Sequence, residues 1–375
     1  MKNKKIKITF FVPRFERLLV YLLKNIDLEK FEVSLLLGNR KGMFIDEIPE
    51  DIKVISLNVS HIRHSIIGLI KYFKKEKPDI FISFLSHANL VSIISKILSG
   101  AKTKIVISER STFSKLSEQS AGNIYDKLIG QFIFFFLVKI FYPRADRIIC
   151  VSKAAAEDLS DVIGKNKKIV FIYNGFDFKK IIELSKEKID YPEFYSDNLP
   201  IICAVGRLVK AKDYPTLLNA FSILFKKVKS QLIIVGDGED MDKLKAIAQR
   251  LDVSKSVYFA GFQKNPYKYM AKADVFVLSS ITEGLPNVIV EAMACGTPVV
   301  STDCKSGPNE IIEDGRNGFL VPIGDYHALA EKMLELINNT DLREKISEEG
   351  RMTAQNFSIG KSIKEYENLF KEVLK

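Results

Sequence analysis

The segment VFVLSSITEGLPNVIVEAMACGTPVVS, residues 275–301, reads as a strand, a loop, a helix and a second strand. Val275–Leu278 and Pro298–Ser301 are short apolar runs, typical of strands buried on both faces of a parallel sheet. Pro286 and Asn287 are placed to begin the helix, because proline fits the first helical turn. This strand–helix–strand order indicates an α/β fold with a parallel sheet.

The same alternation extends in both directions along the chain. Short apolar runs that predict strands alternate with amphipathic stretches that predict helices, such as Pro215–Val228 and Tyr326–Asn338. The thirteen predicted strands are Ile6–Val12, Glu32–Leu37, Lys53–Leu57, Asp79–Phe84, Lys104–Ser108, Arg147–Val151, Ile169–Tyr173, Ile201–Val205, Gln231–Val235, Val257–Phe259, Val275–Leu278, Pro298–Ser301 and Phe319–Val321. They are too many for one ordinary doubly wound domain, so we expect two.

The predicted boundary between these domains lies in Lys186–Pro200, where Pro192 and Pro200 interrupt both periodicities. We therefore expect a first domain over residues 1–190 and a second over residues 191–358. Residues 359–375 predict a helix that follows the second domain.

The composition is that of a globular protein, since 47% of the 375 residues are hydrophobic types and 27% are charged. It excludes a disordered chain, a collagen and a disulfide-rich mini-protein. Residues 1–190 carry 33 Lys/Arg and 21 Asp/Glu, whereas residues 191–375 carry 23 and 25. The basic first half suits an anionic membrane surface or an acidic substrate. No recognition motif accompanies the charge, so we expect no nucleic-acid binding.

Groups suited to a nucleotide diphosphate follow several predicted strands of the second half. Ligands of open α/β sheets bind at these carboxyl ends. Arg207 and Lys212 follow Ile201–Val205; a guanidinium binds phosphate oxygens at two points, and an ammonium adds a point charge. The glycines of Gly236-Asp237-Gly238 allow close backbone approach or form a tight turn.

Two glutamates flank the predicted start of the helix in the opening segment. Glu283 lies in the loop before the helix and Glu291 about one turn inside it. Two carboxylates at this spacing can contact two ends of one ligand. The free N–H groups at the start of the helix form an anion-binding site. The sequence has no HExxH motif and no His/Cys cluster, so we expect no metal site.

These motifs resemble the retaining glycosyltransferases of the GT-B group known as family 4. The resemblance rests on Glu283 and Glu291 with Gly284, Pro286, Asn287 and Gly296-Thr-Pro298, on Gly206-Arg207-Leu208 with Lys212, and on Gly236-Asp237-Gly238, Val257–Gly261, Ala145–Ser152 and Tyr173-Asn174-Gly175. It covers nearly the whole chain and is most specific over residues 200–325.

The resemblance implies two Rossmann-like domains that face each other across a cleft, with residues 359–375 crossing back to the first domain. It implies a nucleotide-sugar donor held mainly by the second domain, retention of anomeric configuration, and neither a divalent metal nor another cofactor. Arg207 and Lys212 would stabilise the departing diphosphate. Glu291 would bind the ribose hydroxyls, and Glu283 would face the donor sugar.

The site residues implied in this way form two sets. The predicted catalytic residues are Glu283, Arg207, Lys212 and His87. The predicted donor-binding residues are Arg207, Lys212, Gly236, Gly261, Phe262, Glu283, Gly284, Leu285, Asn287, Val288 and Glu291.

The first half departs from the family pattern near its start. Family members often carry a Gly-Gly loop before an acidic–basic pair, whereas Phe11–Leu18 contains the pair Glu16-Arg17 without the glycines. Arg14 could substitute for the loop by its charge. Glu16 and Arg14 are therefore predicted on the acceptor side.

Polar residues also follow two strands of the first half. His87 follows Asp79–Phe84, and the resemblance makes it a lining residue near the reacting sugar; the alternative is a hydrogen-bonded structural histidine. Glu109 and Arg110 follow the next strand and predict either acceptor contacts or a structural ion pair.

The Ser-Phe-Leu and Ile-Ser-Glu-Arg patterns of the first half resemble bacterial transferases that extend polyprenyl-diphosphate-linked glycans. We expect a cytoplasmic enzyme, peripheral on the inner membrane, that moves a hexose or N-acetylhexosamine from a UDP-sugar to a lipid-linked saccharide. A soluble acceptor and a non-catalytic binding subunit are the two alternatives. The apolar stretch Leu128–Tyr142 predicts either a buried helix or one that enters the membrane interface.

Overall fold

The computed structural model describes residues 5–13, 17–40, 44–110, 112–113, 124–189 and 198–375, without the side chains of residues 18, 124–129 and 131. Up to residue 176 the elements are β1 (Ile6–Val12), α1 (Arg17–Asn25), β2 (Phe31–Leu37), β3 (Lys53–Ser56), α2 (Ser65–Glu76), β4 (Ile80–Phe84), α3 (Ser86–Ser99), β5 (Lys104–Glu109), α4 (Ile124–Phe141), β6 (Arg147–Cys150), α5 (Lys153–Ile163) and β7 (Ile169–Phe171). From residue 177 they are α6 (Phe178–Ser185), β8 (Ile201–Val205), α7 (Tyr214–Lys227), β9 (Gln231–Val235), α8 (Met241–Arg250), β10 (Val257–Gly261), α9 (Tyr267–Met270), β11 (Val275–Leu278), α10 (Asn287–Cys295), β12 (Val299–Thr302), α11 (Pro308–Ile311), β13 (Phe319–Val321), α12 (Tyr326–Asn338), α13 (Thr340–Ala354) and α14 (Ile359–Leu374).

The described strands form two parallel sheets. The first has the order β3-β2-β1-β4-β5-β6-β7 and the second the order β10-β9-β8-β11-β12-β13. All thirteen predicted strands are present, with ends that differ by one or two residues. The predicted α/β class with two Rossmann-like sheets is confirmed.

The chain divides into two compact units. Unit 1 comprises residues 1–176 and 359–375, and unit 2 comprises residues 177–358. The predicted boundary after residue 190 therefore lies too late in the sequence. Helix α6 belongs to unit 2 because it packs against α9 and α10, and Asn265 Nδ2 donates a hydrogen bond to Leu184 O at 2.8 Å. Residues 190–197, the middle of the predicted linker, lie outside the described residues.

The sheet of unit 1 is buried on both faces because its strands are apolar at successive positions. Phe10 packs near Phe84 and Phe370 on one face, whereas the neighbouring Phe11 packs against Phe81 on the other. Side chains alternate between the faces of a strand, so a continuous apolar run fills both layers. Phe10 and Phe11 are both fully buried.

Helix α14 covers one face of the unit 1 sheet. Its buried residues recur every three or four positions, as Ile363, Tyr366, Phe370 and Val373 do, which is the pattern of a helix with one apolar stripe. A close backbone approach fixes the start of this helix. A Cβ added at Gly175 would lie 2.7 Å from Ser362 Cβ and 2.8 Å from Ile359 Cα.

A buried carboxylate joins three elements of unit 1. Glu109, at the end of β5, is 1% exposed and accepts hydrogen bonds from Ser86 Oγ at 2.8 Å, from Asn89 Nδ2 at 2.7 Å and from the Tyr142 hydroxyl. Burial raises the pKa of Glu109 to about 7, although all three donors lower it. The carboxyl group thus links β5 to the amino end of α3 and to the segment after α4.

The predicted helix over Leu128–Tyr142 is present as α4, with one buried face and one exposed face. Val138 is fully buried, and Phe134 and Phe135 are half-buried against Phe113. Phe132 on the opposite face is 74% exposed. Across the described ranges, the helices lack the combination of length and apolar character that a bilayer crossing requires.

We predict that Gly175→Ala destabilises unit 1. The added methyl group would overlap the backbone at Ile359, so α14 must shift, which costs about 1–3 kcal/mol. Gly360→Ala is the matched control. Gly360 lies within α14, and a Cβ added there has nothing within 4 Å. Urea unfolding should show a lower midpoint for the first variant only; equal midpoints would contradict this account of α14.

We predict that Glu109 makes the stability of unit 1 depend on pH. Its folded pKa of about 7 lies above the ordinary 4.5, so between these pH values the folded state binds more protons than the unfolded state. The free energy of unfolding should therefore fall as pH rises through this window. Glu109→Gln should flatten the fall, whereas Glu157→Gln, at an exposed position on α5, should leave it unchanged. Urea titrations at pH 5, 6 and 7 measure both.

Candidate active site

The strand order of unit 2 reverses between β8 and β11. The chain runs outward through β8, β9 and β10 on one side, and through β11, β12 and β13 on the other. The loops that leave the two central strands therefore diverge and open a crevice at their carboxyl ends, which is where ligands of such sheets bind. Arg207 and Lys212 follow β8, and Glu283 follows β11.

Lys212 and Glu283 contact each other across this reversal. Lys212 Nζ lies 2.5 Å from Glu283 Oε1, and the two side chains are 19% and 11% exposed. Ser280 Oγ donates to the same oxygen at 2.6 Å. The carboxylate is thus held by a cation and a hydroxyl, and the structure brings together two of the predicted catalytic residues.

The loop that carries Glu283 is fastened to its neighbours by hydrogen bonds. Ser279 Oγ donates to Lys212 O at 2.8 Å, and Ile281 N donates to Ala211 O at 2.9 Å. Thr302 Oγ1, at the end of β12, donates to Ser280 O at 2.6 Å. Ser306 Oγ donates to the carbonyl oxygen of Glu283. These bonds hold the glutamate in place from both flanking loops.

The glycines after β8 and β9 allow the two loops to touch. A Cβ at Gly236, whose φ is +144°, would lie 1.9 Å from Gly206 O, and one at Gly238 would lie 2.3 Å from Leu208 O. Leu208 N donates to Asp237 O at 2.9 Å across the same contact. Gly236 is a predicted donor-binding residue, and this close packing explains why glycine is needed at the position.

Glu291 lies inside α10, away from solvent. It is 8% exposed, and its Oε1 accepts a hydrogen bond from the Tyr267 hydroxyl at 3.0 Å. In the part of the chain that is described, no side chain caps the amino end of α10, where Pro286 precedes Asn287. An uncapped helix end with its dipole favours a bound anion.

The remaining predicted donor-side residues of unit 2 differ in exposure. Arg207 is exposed, Phe262 is 48% exposed and Leu285 is buried. Gly284 and Val288 are half-buried around the start of α10. Gly261 O accepts a hydrogen bond from Gly236 N at 2.8 Å, which joins the end of β10 to the loop after β9.

The acceptor-side predictions fall in unit 1, and two of them, Arg14 and Glu16, lie outside the described residues. His87 is exposed at the start of α3, with its ring 4.9 Å from that of Phe134. Glu109 and Arg110 have separate partners: Glu109 is held in the buried cluster, while Arg110 Nη1 donates to Asn174 Oδ1 at 2.8 Å.

Arg110 lines a small cavity at the carboxyl edge of the unit 1 sheet. Its volume is about 30 Å³, and its walls come from the ends of β1, β4, β5 and β7 and from α14. The lining is mostly apolar, with Asn174, Ser362 and Tyr366 as the other polar residues. Nowhere in the described ranges do three His, Cys, Asp or Glu side chains gather as a metal ion would require.

Sequence reasoning missed the residues that position the two glutamates. Ser279, Ser280 and Thr302 support the Glu283 loop, and Tyr267 supports Glu291. The Ser279-Ser280 pair directly after a strand was the available signal, since hydroxyls at strand ends commonly hold loops. Tyr267 carried no signal, because the contact spans 24 residues of sequence.

Two family models match the chain. The model described as Glycosyltransferase Family 4 matches residues 15–180, and the model described as Glycosyl transferases group 1 matches residues 185–353. A relative from Campylobacter jejuni, N-acetylgalactosamine-N,N'-diacetylbacillosaminyl-diphospho-undecaprenol 4-alpha-N-acetylgalactosaminyltransferase, is 32% identical, over 91% of this chain and 92% of its own. The capsular polysaccharide biosynthesis glycosyltransferase CapM of Staphylococcus aureus is 28% identical, over 95% and 97%.

A solved structure shows the same fold over nearly the whole chain. The crystal structure of Anabaena HepE in complex with UDP-glucose superposes with a TM-score of 0.80, at 21% identity, and covers 97% of this chain and 99% of its own. The fold, the strand-end motifs and the full-length relative agree with one another. The chain therefore belongs to glycosyltransferase family 4 and is a glycosyltransferase of the GT-B fold.

Proposed function

We propose that this glycosyltransferase moves a hexose or N-acetylhexosamine from a UDP-sugar to a hydroxyl of a polyprenyl-diphosphate-linked saccharide, with retention of configuration and without a metal ion. Unit 2 binds the donor and unit 1 binds the acceptor. The observation that carries the proposal is the contact of Lys212 with Glu283 at the reversal of strand order in unit 2. The pathway is the assembly of a bacterial surface glycan.

Two features of unit 2 and the solved structures of a similar protein support a nucleoside-diphosphate sugar as the donor. The exposed Arg207 and the half-buried Lys212 follow the same strand, so both cations can reach one diphosphate. The uncapped amino end of α10 adds N–H groups for a phosphate or a sugar oxygen. Anabaena HepE has been solved with UDP and with UDP-glucose, which supports uracil as the base of the donor nucleotide.

The ion pair suggests how the site accepts its ligand. Without donor, Glu283 compensates the charge of Lys212, which avoids an unpaired, partly buried cation. A bound diphosphate takes over part of this compensation, and Glu283 can then accept hydrogen bonds from hydroxyls of the donor sugar. Glu283 acts in this scheme as an electrostatic and positioning group rather than as a nucleophile.

The bond changes of the transfer balance without a further reactant. The bond from the anomeric carbon to the UDP oxygen breaks while the acceptor oxygen bonds to the same carbon from the same face. The acceptor proton passes to the departing diphosphate oxygen. Arg207 and Lys212 stabilise the charge that develops on that diphosphate, which is the task a metal ion performs in other transferases.

Glu291 is proposed to bind the ribose. Its carboxylate accepts a hydrogen bond from the Tyr267 hydroxyl, which orients it, and a carboxylate can accept hydrogen bonds from ribose hydroxyls. Gly261 and Phe262, at the end of β10, would lie against the base; Phe262 is exposed enough to do so.

Charge and relatives support a lipid-linked acceptor. Residues 1–190 have 12 more basic than acidic residues, which favours an anionic membrane surface and a diphosphate-bearing acceptor. The name of the Campylobacter relative gives undecaprenol diphosphate as the carrier of its acceptor. We propose that the protein works at the cytoplasmic face of the inner membrane, with the exposed His87 and the half-buried Arg110 on the acceptor side.

We predict that Glu283→Gln lowers transfer by about 100-fold or more while UDP still binds, because the amide cannot offer the charge that orients the sugar. The measurement combines UDP release from a panel of UDP-sugars, product formation on polyprenyl-diphosphate-linked and soluble acceptors, and UDP binding by calorimetry. Glu239→Gln is the matched control, since Glu239 is exposed after β9.

Each result of this experiment bears on the alternatives. Transfer only to the soluble acceptor would replace the lipid-linked proposal. UDP binding without transfer or UDP release by the unmodified protein would favour a non-catalytic subunit. Glu283→Gln with full transfer would contradict the role assigned to the ion pair.

We predict that Glu291→Ala removes the protein's preference for UDP over a UDP analogue whose ribose lacks the 2′ and 3′ hydroxyls. The unmodified protein should bind UDP more tightly than 2′,3′-dideoxy-UDP by about tenfold or more, as expected for hydrogen bonds to a charged group. The variant should bind both nucleotides with equal affinity in calorimetry. Tyr267→Phe should keep the preference in part, and an undiminished preference in Glu291→Ala would exclude a ribose contact.

A further inference from the structure

Helix α4 of unit 1 has an exposed face that is apolar. Phe132 is 74% exposed, Ile133 is 50% exposed and Phe136 is 55% exposed. At 100° per residue these three side chains fall within one sector of the helix, opposite the buried Val138. Three adjacent large apolar side chains on one surface, rather than single scattered ones, mark an interaction site.

Exposed cations lie near this face, and the nearest acidic residues in the sequence are Asp126 and Asp146, of which Asp146 pairs with Lys104. Between residues 127 and 145 the sequence has three basic residues and no Asp or Glu. Lys139 on α4 and Arg144 just after it are both exposed. A partner that covers the apolar face therefore meets positive charge at its margin, so an anionic surface complements it better than a second copy of the same cationic surface.

The buried side of α4 contacts a proposed acceptor residue at one edge of unit 1. The ring of Phe134, on the buried side of α4, is 4.9 Å from that of His87 and stacks near Phe113, which follows Glu109 and Arg110 by a few residues. A surface that holds this edge against a bilayer would bring the carrier lipid of an acceptor to these residues.

We propose that the exposed face of α4 inserts into the boundary between headgroups and acyl chains of an anionic bilayer. Phe132, Ile133 and Phe136 enter the boundary, and Lys139 and Arg144 contact the headgroups. This arrangement is that of a helix lying in the plane of the interface, held by apolar burial and by attraction to anionic lipid. The inference rests on the proposed function, since it places a lipid-linked acceptor beside the enzyme.

The test uses the full chain and flotation on vesicles of phosphatidylglycerol and phosphatidylcholine. The variant Phe132→Gln, Ile133→Gln, Phe136→Gln removes the apolar face, and glutamine keeps a good helix former on the surface. Its vesicle partition coefficient should fall by about tenfold or more, because the variant no longer buries three large apolar side chains. The matched control is Ile67→Gln with Leu98→Gln, exposed apolar residues of α2 and α3, which should float like the unmodified protein.

Three results would overturn the proposal: no flotation of the unmodified protein, undiminished flotation of the triple variant, or a loss of self-association in the triple variant, which would make the face an interface between copies. Transfer to a water-soluble acceptor should be the same for the triple variant and the unmodified protein. If neither protein transfers sugar to any acceptor, lipid-linked or water-soluble, while flotation is as expected, the proposed function is contradicted and the membrane-binding proposal is not.

Discussion

The ion pair between Lys212 and Glu283 exists because β8 and β11 are neighbours in the sheet of unit 2. The two residues are 71 positions apart, and only the reversal of strand order brings their loops together. At 19% and 11% exposure, neither charge is fully hydrated, so each stabilises the other while no ligand is present. Under the proposed function, a bound diphosphate would take over part of this compensation of the Lys212 charge.

Backbone contacts determine how closely the neighbouring loops can meet. The loop after β8 lies against the loop after β9 because Gly236 and Gly238 have no Cβ. Any other residue at either position would push the Arg207 loop away from its place. The positions of the charged side chains therefore depend on glycines that carry no functional group, and this dependence explains why glycines and cations occur together at these strand ends.

Secondary structure could be predicted from local pattern, whereas contacts between distant residues could not. Each of the thirteen strands contains a short apolar run, so its position follows from the sequence, as does the face that α14 buries. The domain boundary was predicted too late because Pro192 and Pro200 are conspicuous, while the packing of α6 on α9 and α10 leaves no local mark. Glu283 and Lys212 were predicted as site residues, and their direct contact could not be predicted because it depends on strand order. Glu109 was expected to contact either Arg110 or the acceptor. Its hydrogen bond with the buried Tyr142 could not be predicted, because the two residues are 33 positions apart in the sequence.

The two units differ in the kind of surface they offer. Unit 2 is nearly neutral overall, with 23 Lys/Arg and 26 Asp/Glu, and in the proposed function its charged groups act over a few ångströms on a bound nucleotide. Residues 1–190 are strongly basic, but attraction between exposed charges is screened beyond about 8–10 Å at physiological ionic strength. Net charge can therefore bring unit 1 to an anionic surface without orienting it there. Orientation needs a local feature, and the proposed insertion of the apolar face of α4 would supply it, because burial of specific side chains selects one surface of the unit.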